Sequence, residues 1–324
     1  MDASNSFIST MAIYSACAIL SVLKSFNTEP RPFFVADLQP ATKCWNEYGS
    51  PSGHSLTSAS LYFTVWKLIC RTYRPSNLLK YLSLSLTILI VIAIGVSRLY
   101  MGVHTLNQIF SGWILGLFIH ILFCDILNDE LTTFVHHVHR YSVWELFWNK
   151  GTISFYTFNL IAFFNFYFGE TLHPVPAEWE PQIAKNCQHL VRDEKSPELY
   201  NFVAFCLYLT FSGSYFGLIV ERKFFNTRKY SRFYETPIWK TLLRCILIVL
   251  ICSPFLICIF TFPKNYHWSV VVMGRCVVPT TLAVMELFVV SKWIFVKLGL
   301  ANDHESTDEE LELELIANLT KKTA

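Results

Sequence analysis

Apolar runs of about 20 residues, the length a bilayer requires, recur along the chain between short polar segments. They fall near Phe7–Leu23, Gly53–Tyr73, Leu78–Val96, Leu106–Leu127, Thr152–Phe168, Leu199–Val220, Ile238–Phe262 and His267–Leu298. The pattern predicts an all-α, polytopic membrane helix bundle with about eight transmembrane helices. Ser, Thr and Lys interrupt the second run, so its polar face must look into the bundle. The last run is longer than a span needs, which predicts tilt or a break near Pro279. The first run lacks a basic leader and a clear cleavage site, and reads as a retained helix.

Composition supports this reading. Of 324 residues, 53% are hydrophobic and only 15% are charged, against roughly 25% charge in soluble proteins. The mean hydropathy is +0.38. A net charge of +2 argues against a nucleic-acid partner. The expected organisation is a core at 1–128 with about four helices, further transmembrane helices at 129–300, and an acidic cytoplasmic tail at 301–324. No internal repeat is visible.

Loop charges orient the bundle. One side receives Arg71, Arg74, Arg140, Lys150, Arg222, Lys223, Arg228, Lys229 and Arg232. The other receives segments 24–52, 97–105, 169–198 and 263–266, and its longest late loop holds Lys185, Arg192 and Lys195 against six acidic residues. The positive-inside rule makes the first side cytoplasmic, with both termini. Lys321 and Lys322 near the end are similar to a dilysine retrieval signal, which points to the endoplasmic reticulum. Cys44 and Cys187 fall in the lumenal loops, where an oxidising compartment would let them pair. No Cys or His set has zinc spacing.

Three polar clusters meet the membrane on the lumenal side. They are Lys24-SFNTEP-Arg31-Pro32, then Pro51-Ser52-Gly53-His54, then Ser97-Arg98-LYMGV-His104-TLN-Gln108. Lys24, Arg31 and Arg98 supply three cations. Ser52 and Gly53 supply a hydroxyl and exposed backbone N–H groups at a helix start, where an anion is favoured. His54 and His104 are imidazoles able to trade protons near neutral pH. Together they describe a phosphate site with a nucleophile and an acid, which is most of what phosphoryl transfer needs.

The pattern Lys-x6-Arg-Pro, Pro-Ser-Gly-His, Ser-Arg-x5-His resembles the type 2 phosphatidic acid phosphatase and vanadium haloperoxidase superfamily over about residues 24–127. The resemblance implies that His104 is the nucleophile forming a phosphohistidine and that His54 protonates the leaving oxygen. It implies that Lys24, Arg31, Arg98, Ser52 and the Gly53 amide hold the phosphoryl oxygens. It implies no metal and no cofactor. The family pattern usually ends His-x3-Asp, whereas this chain has Gln108. Its carbonyl can accept the imidazole N–H one turn away but brings no charge. The glucose-6-phosphatase branch also carries Gln here. That branch and the related sphingosine-phosphate phosphatases further share the helices after the third motif. Only one helix precedes Lys24, where two are expected; a shortened start and a true variant both fit.

The expected function is hydrolysis of a phosphomonoester, with a lipid phosphate favoured because a bilayer-embedded site accepts a head group while the chain stays in lipid. Glucose 6-phosphate and a polyisoprenyl diphosphate are alternative substrates. A catalytically silent membrane protein that binds phosphorylated lipid is the alternative from another class, and Gln108 keeps it open. His136, His137 and His139 lie on the opposite face and read as an interfacial loop. Arg275 and Glu286 lie about three turns apart on one face of the last run, either as polar groups facing the bundle or along a substrate path.

Overall fold

The computed structural model describes residues 3–38, 47–138, 140–150, 176–187, 213–221, 236–263 and 273–301, with isolated positions between 152 and 164 and at 266, 270 and 271. Among the described residues there is no strand. The predicted spans at Thr152–Phe168 and Leu199–Val220 fall largely outside them. So do Cys44, the basic loop at 222–232, the acidic tail, Lys321 and Lys322.

Five stretches among the described residues are long and apolar enough to cross a membrane: Ser4–Val35, Asn77–Tyr100, Leu106–Ile126, Ile238–Thr261 and Met273–Lys297. The chain is a multi-pass membrane protein by the length and composition of its helices. The helix Gly53–Tyr73 is less apolar, yet its polar residues point inward. Ser55, Ser60 and Thr64 are fully buried, and Ser60 Oγ donates to the Ala12 carbonyl at 3.3 Å. The break expected near Pro279 takes the form of a π-helical turn at Met273–Val277, after which a helix restarts at Val278 with Pro279 in its first turn.

The described residues fall into two compact units. One comprises Met11–Ile126 and Ser154–Tyr208. Its elements are α1 (Ala3–Asn27, from Met11 on), α2 (Pro32–Val35), α3 (Gly53–Tyr73), α4 (Asn77–Tyr100) and α5 (Leu106–Ile121), with a short helix at Glu180–Asn186. The closest packing runs between α3 and α5. Gly112 and Gly116 form a small-xxx-small face that lets the two backbones approach. A Cβ on Gly112 would sit 2.7 Å from the Ser52 carbonyl oxygen, and one on Gly116 would sit 2.5 Å from the Leu56 carbonyl oxygen. The Glu180–Asn186 helix docks on α2. Asn186 Nδ2 donates to the carbonyls of Phe33 (2.9 Å) and Ala36 (2.7 Å), which the end of α2 leaves without intrahelical partners.

The other unit comprises Met1–Thr10, Leu127–Ile153 and Leu209–Ala324. Stacked rings of Phe134 and Tyr215 form part of its interior. In the same unit, Arg244 Nη1 donates to the Leu300 carbonyl at 3.1 Å, just past the helix Val290–Lys297. Arg275 donates from Nε to the Ile259 carbonyl, so its charge faces backbone dipoles inside the bundle.

Candidate active site

The three sequence clusters converge within the Met11–Ile126 unit, joined by hydrogen bonds to backbone carbonyls. Gly49 N–H donates to the Glu29 carbonyl (2.8 Å), Ser52 N–H to the Gln108 carbonyl (2.9 Å), and Arg31 Nη1 to the Val103 carbonyl (3.0 Å). Lys24 sits in the last turn of α1. The chain leaves that helix through Thr28, whose φ of 46° is left-handed, and turns back to present Glu29 through Arg31. His54 is exposed in the first turn of α3, and Arg98 lies at the end of α4, half-buried, with Nε donating to Ser97 Oγ at 3.2 Å.

His104 is 4% exposed and Gln108 is 2% exposed. Gln108 Oε1 lies 3.2 Å from His104 Nδ1 and also accepts the Thr105 N–H at 3.2 Å. Gln108 Nε2 donates to the Pro30 carbonyl at 2.9 Å and to Glu29 Oε2 at 3.4 Å. The amide orientation is therefore set from both ends. It makes His104 Nδ1 the protonated nitrogen and leaves Nε2 as the acceptor, 3.4 Å from Arg31 Nη1. Burial first, then the Arg31 and Lys24 charges, push the imidazole down to about 2, so His104 is neutral.

One detail differs from the sequence expectation. The Ser52 N–H is not exposed to a ligand: Ser52 is fully buried and that N–H is bonded to the Gln108 carbonyl. Its hydroxyl accepts from Ser55 Oγ at 3.1 Å and keeps its own proton to donate. Gly53 opens α3, so its N–H has no intrahelical acceptor.

Sequence reasoning also missed Glu47. One carboxylate oxygen of Glu47 pairs with both Lys24 Nζ and Arg31 Nη2, the latter at 2.8 Å. The Glu47 backbone carbonyl accepts from Arg31 Nε at 2.8 Å. Burial would raise this carboxyl, but the Lys24 and Arg31 charges outweigh it and hold Glu47 below the ordinary value, ionised. The available signal was a carboxylate in a segment joining two cation motifs.

A segment far along the chain adds a further layer. The Trp179 ring packs on Phe34 at 5.8 Å and on Tyr48 at 6.2 Å. Phe33, Phe34, Val103, Ile183 and Cys187 form one buried apolar cluster behind Arg31. Cys187 is disulfide-bonded; Cys44, its expected partner, lies outside the described residues. Among the described residues, no group of three or more His, Cys, Asp or Glu could hold a metal ion.

This is a polytopic membrane protein whose first helices gather two histidines around a set of buried cations. Residues 5–131 match the family model described as the PAP2 superfamily, so the likeness read from the three motifs is shown over that segment. The chain is also similar to a protein of Schizosaccharomyces pombe named dihydrosphingosine 1-phosphate phosphatase, with 28% identity over 134 residues. That stretch covers 41% of this chain and 28% of the relative's length. No solved structure matches the chain at a significant level.

Proposed function

We propose that the chain is an integral membrane phosphatase that hydrolyses a lipid phosphomonoester through a phosphohistidine on His104. The observation that carries this reading is the geometry of His104: neutral, held at Nδ1 by Gln108, with Nε2 beside the Arg31 guanidinium. In the first step Nε2 attacks phosphorus, the bond to the ester oxygen breaks, and His54 gives that oxygen a proton. In the second, water attacks the phosphohistidine, His54 takes the proton back, and phosphate leaves. Lys24, Arg31, Arg98, Ser52 Oγ and the Gly53 N–H neutralise the phosphoryl oxygens, the main catalytic demand in this chemistry. The name of the yeast relative favours a sphingoid-base phosphate within the lipid class.

In this reading residues 1–128 form the catalytic core, 129–300 add transmembrane helices and 301–324 are a cytoplasmic tail. The site faces the lumen of the endoplasmic reticulum and both termini face the cytoplasm. The disulfide at Cys187, packed on the same cluster as Phe33, supports an oxidising compartment on the site's side.

The test is phosphate release by membranes containing the chain, with a sphingoid-base 1-phosphate, phosphatidic acid and glucose 6-phosphate, against His104→Ala as blank. Release above that blank from a lipid phosphate supports the reading. Release from glucose 6-phosphate alone moves the chain to the sugar-phosphatase alternative. No release from correctly inserted protein leaves the silent lipid-binding alternative standing.

A further inference from the structure

The site as folded already contains an anion. Lys24 and Arg31 are almost fully buried, at 6% and 2% side-chain exposure. Two buried cations with no counter-charge would be strongly destabilising. Glu47 supplies the counter-charge, and it does so through one oxygen shared by both groups. In the reading above, a phosphoryl oxygen gripped by this Lys ammonium and Arg guanidinium beside His104 would take the same position. The same guanidinium that holds Glu47 through Nη2 lies 3.4 Å from His104 Nε2 through Nη1.

We propose that Glu47 is an affinity-setting residue of the site: a displaceable internal anion that occupies the phosphate seat and sets the threshold a ligand must exceed to enter it. The inference rests on the phosphate-site reading above.

Charge decides which ligands clear this threshold. Lys24, Arg31 and Arg98 are opposed by Glu47 and by Glu29, whose carboxylate accepts from Gln108 Nε2 at 3.4 Å. A phosphomonoester dianion brings one more negative charge to Lys24 and Arg31 than the Glu47 carboxylate it displaces. A phosphodiester is a monoanion and gains at the two shared cations no more than the carboxylate it must displace. In the reading above the site meets a membrane, where monoanionic diester head groups are abundant. The displacement cost is the same for every ligand, so it acts on occupancy. It lifts the dissociation constant of diesters above their working concentration while a dianion still binds.

The experiment is calorimetric titration of the purified full chain, in nonionic detergent at mildly alkaline pH, with inorganic phosphate and with dimethyl phosphate as the monoanionic diester. Glu47→Gln is expected to bind both at least about tenfold tighter than wild type, which is about 1.4 kcal/mol. Dimethyl phosphate binding should be measurable in that variant and not in wild type. Glu47→Asp retains the charge and should stay near wild type. Unchanged or weaker phosphate binding by Glu47→Gln overturns the inference, because Glu47 then only positions the cations. If that variant does not fold, the infrared difference spectrum of wild type on phosphate binding decides. A shifted carboxylate stretch supports displacement, and an unchanged carboxylate region overturns it. Absence of phosphate binding in wild type, Glu47→Gln and Glu47→Asp alike overturns the phosphate site itself, and this inference with it.

Discussion

Gln108 Oε1 lies 3.2 Å from His104 Nδ1 one helical turn away, while the same amide donates through Nε2 to the Pro30 carbonyl at 2.9 Å. A carboxylate can reproduce the first bond and not the second. The neutral amide is therefore part of how this site is assembled, because it ties the third motif to the first as well as orienting the imidazole.

Gln108→Glu and Gln108→Asp should both lower turnover, by about 10- to 100-fold, the usual cost of losing an orienting partner behind a reactive side chain. Glu places an acceptor against the Pro30 carbonyl and Glu29. Asp is a methylene too short to span His104 and Pro30. Steady-state kinetics on the preferred substrate is the check. Full activity in Gln108→Asp would show that the imidazole bond alone matters.

Arg31→Lys keeps the charge but loses the fork. Arg31 serves the Glu47 carbonyl, the Glu47 carboxylate, the Val103 carbonyl and His104 Nε2 at once. An ammonium cannot reach these in one geometry. The expected result is a loss of kcat/KM of about 100-fold or more, with a lowered thermal midpoint in detergent. A variant with wild-type kinetics would remove Arg31 from the phosphate clamp.

Gly112→Ala and Gly116→Ala should each cost about 1–3 kcal/mol by forcing α3 off α5. The added methyl meets backbone oxygen in both cases, so no side chain can swing away. Gly112→Ala should depress turnover more, because it pushes on Ser52, whose N–H is bonded to Gln108. Equal turnover in the two variants would argue that the α3–α5 distance does not govern the site.

Acid should weaken the fold before it protonates His104. His104 is held down to about 2 in the folded protein against an ordinary value of 6.5, so the unfolded chain binds its proton first. Stability from this group falls as pH drops below about 6.5, at up to about 1.4 kcal/mol per pH unit. Glu47 acts in the same direction at lower pH: its folded value is depressed, so its contribution is present above the ordinary 4.5 and lost as pH falls through the folded value. Denaturation midpoints measured from neutral to mildly acid pH should therefore decline, and His104→Gln should flatten the upper part of that decline. The acid limb of kcat/KM should not report His104. A limb near 6.5 that disappears in His104 variants with residual activity would contradict this.

Much of this protein was legible along the chain because membranes impose one-dimensional rules. A span must be about 20 apolar residues whatever its neighbours do, so the all-α multi-pass character follows from the runs themselves. The inward polar face of the Gly53–Tyr73 helix followed for the same reason, since Ser60 and Thr64 have nowhere else to satisfy their hydroxyls. The cation and histidine motifs were legible because they are short local patterns, and the proposed phosphate chemistry needs those residue types at such spacings. What only the tertiary structure decided depends on groups distant in sequence meeting at hydrogen-bond range. The pairing of Glu47 with Lys24 and Arg31, the loss of the Ser52 N–H to Gln108, and the docking of Asn186 on α2 are each of this kind. Buried charges and backbone groups must find partners wherever the packed chain places them, and for Ser52 and Gln108 that placement includes the α3–α5 approach at Gly112 and Gly116.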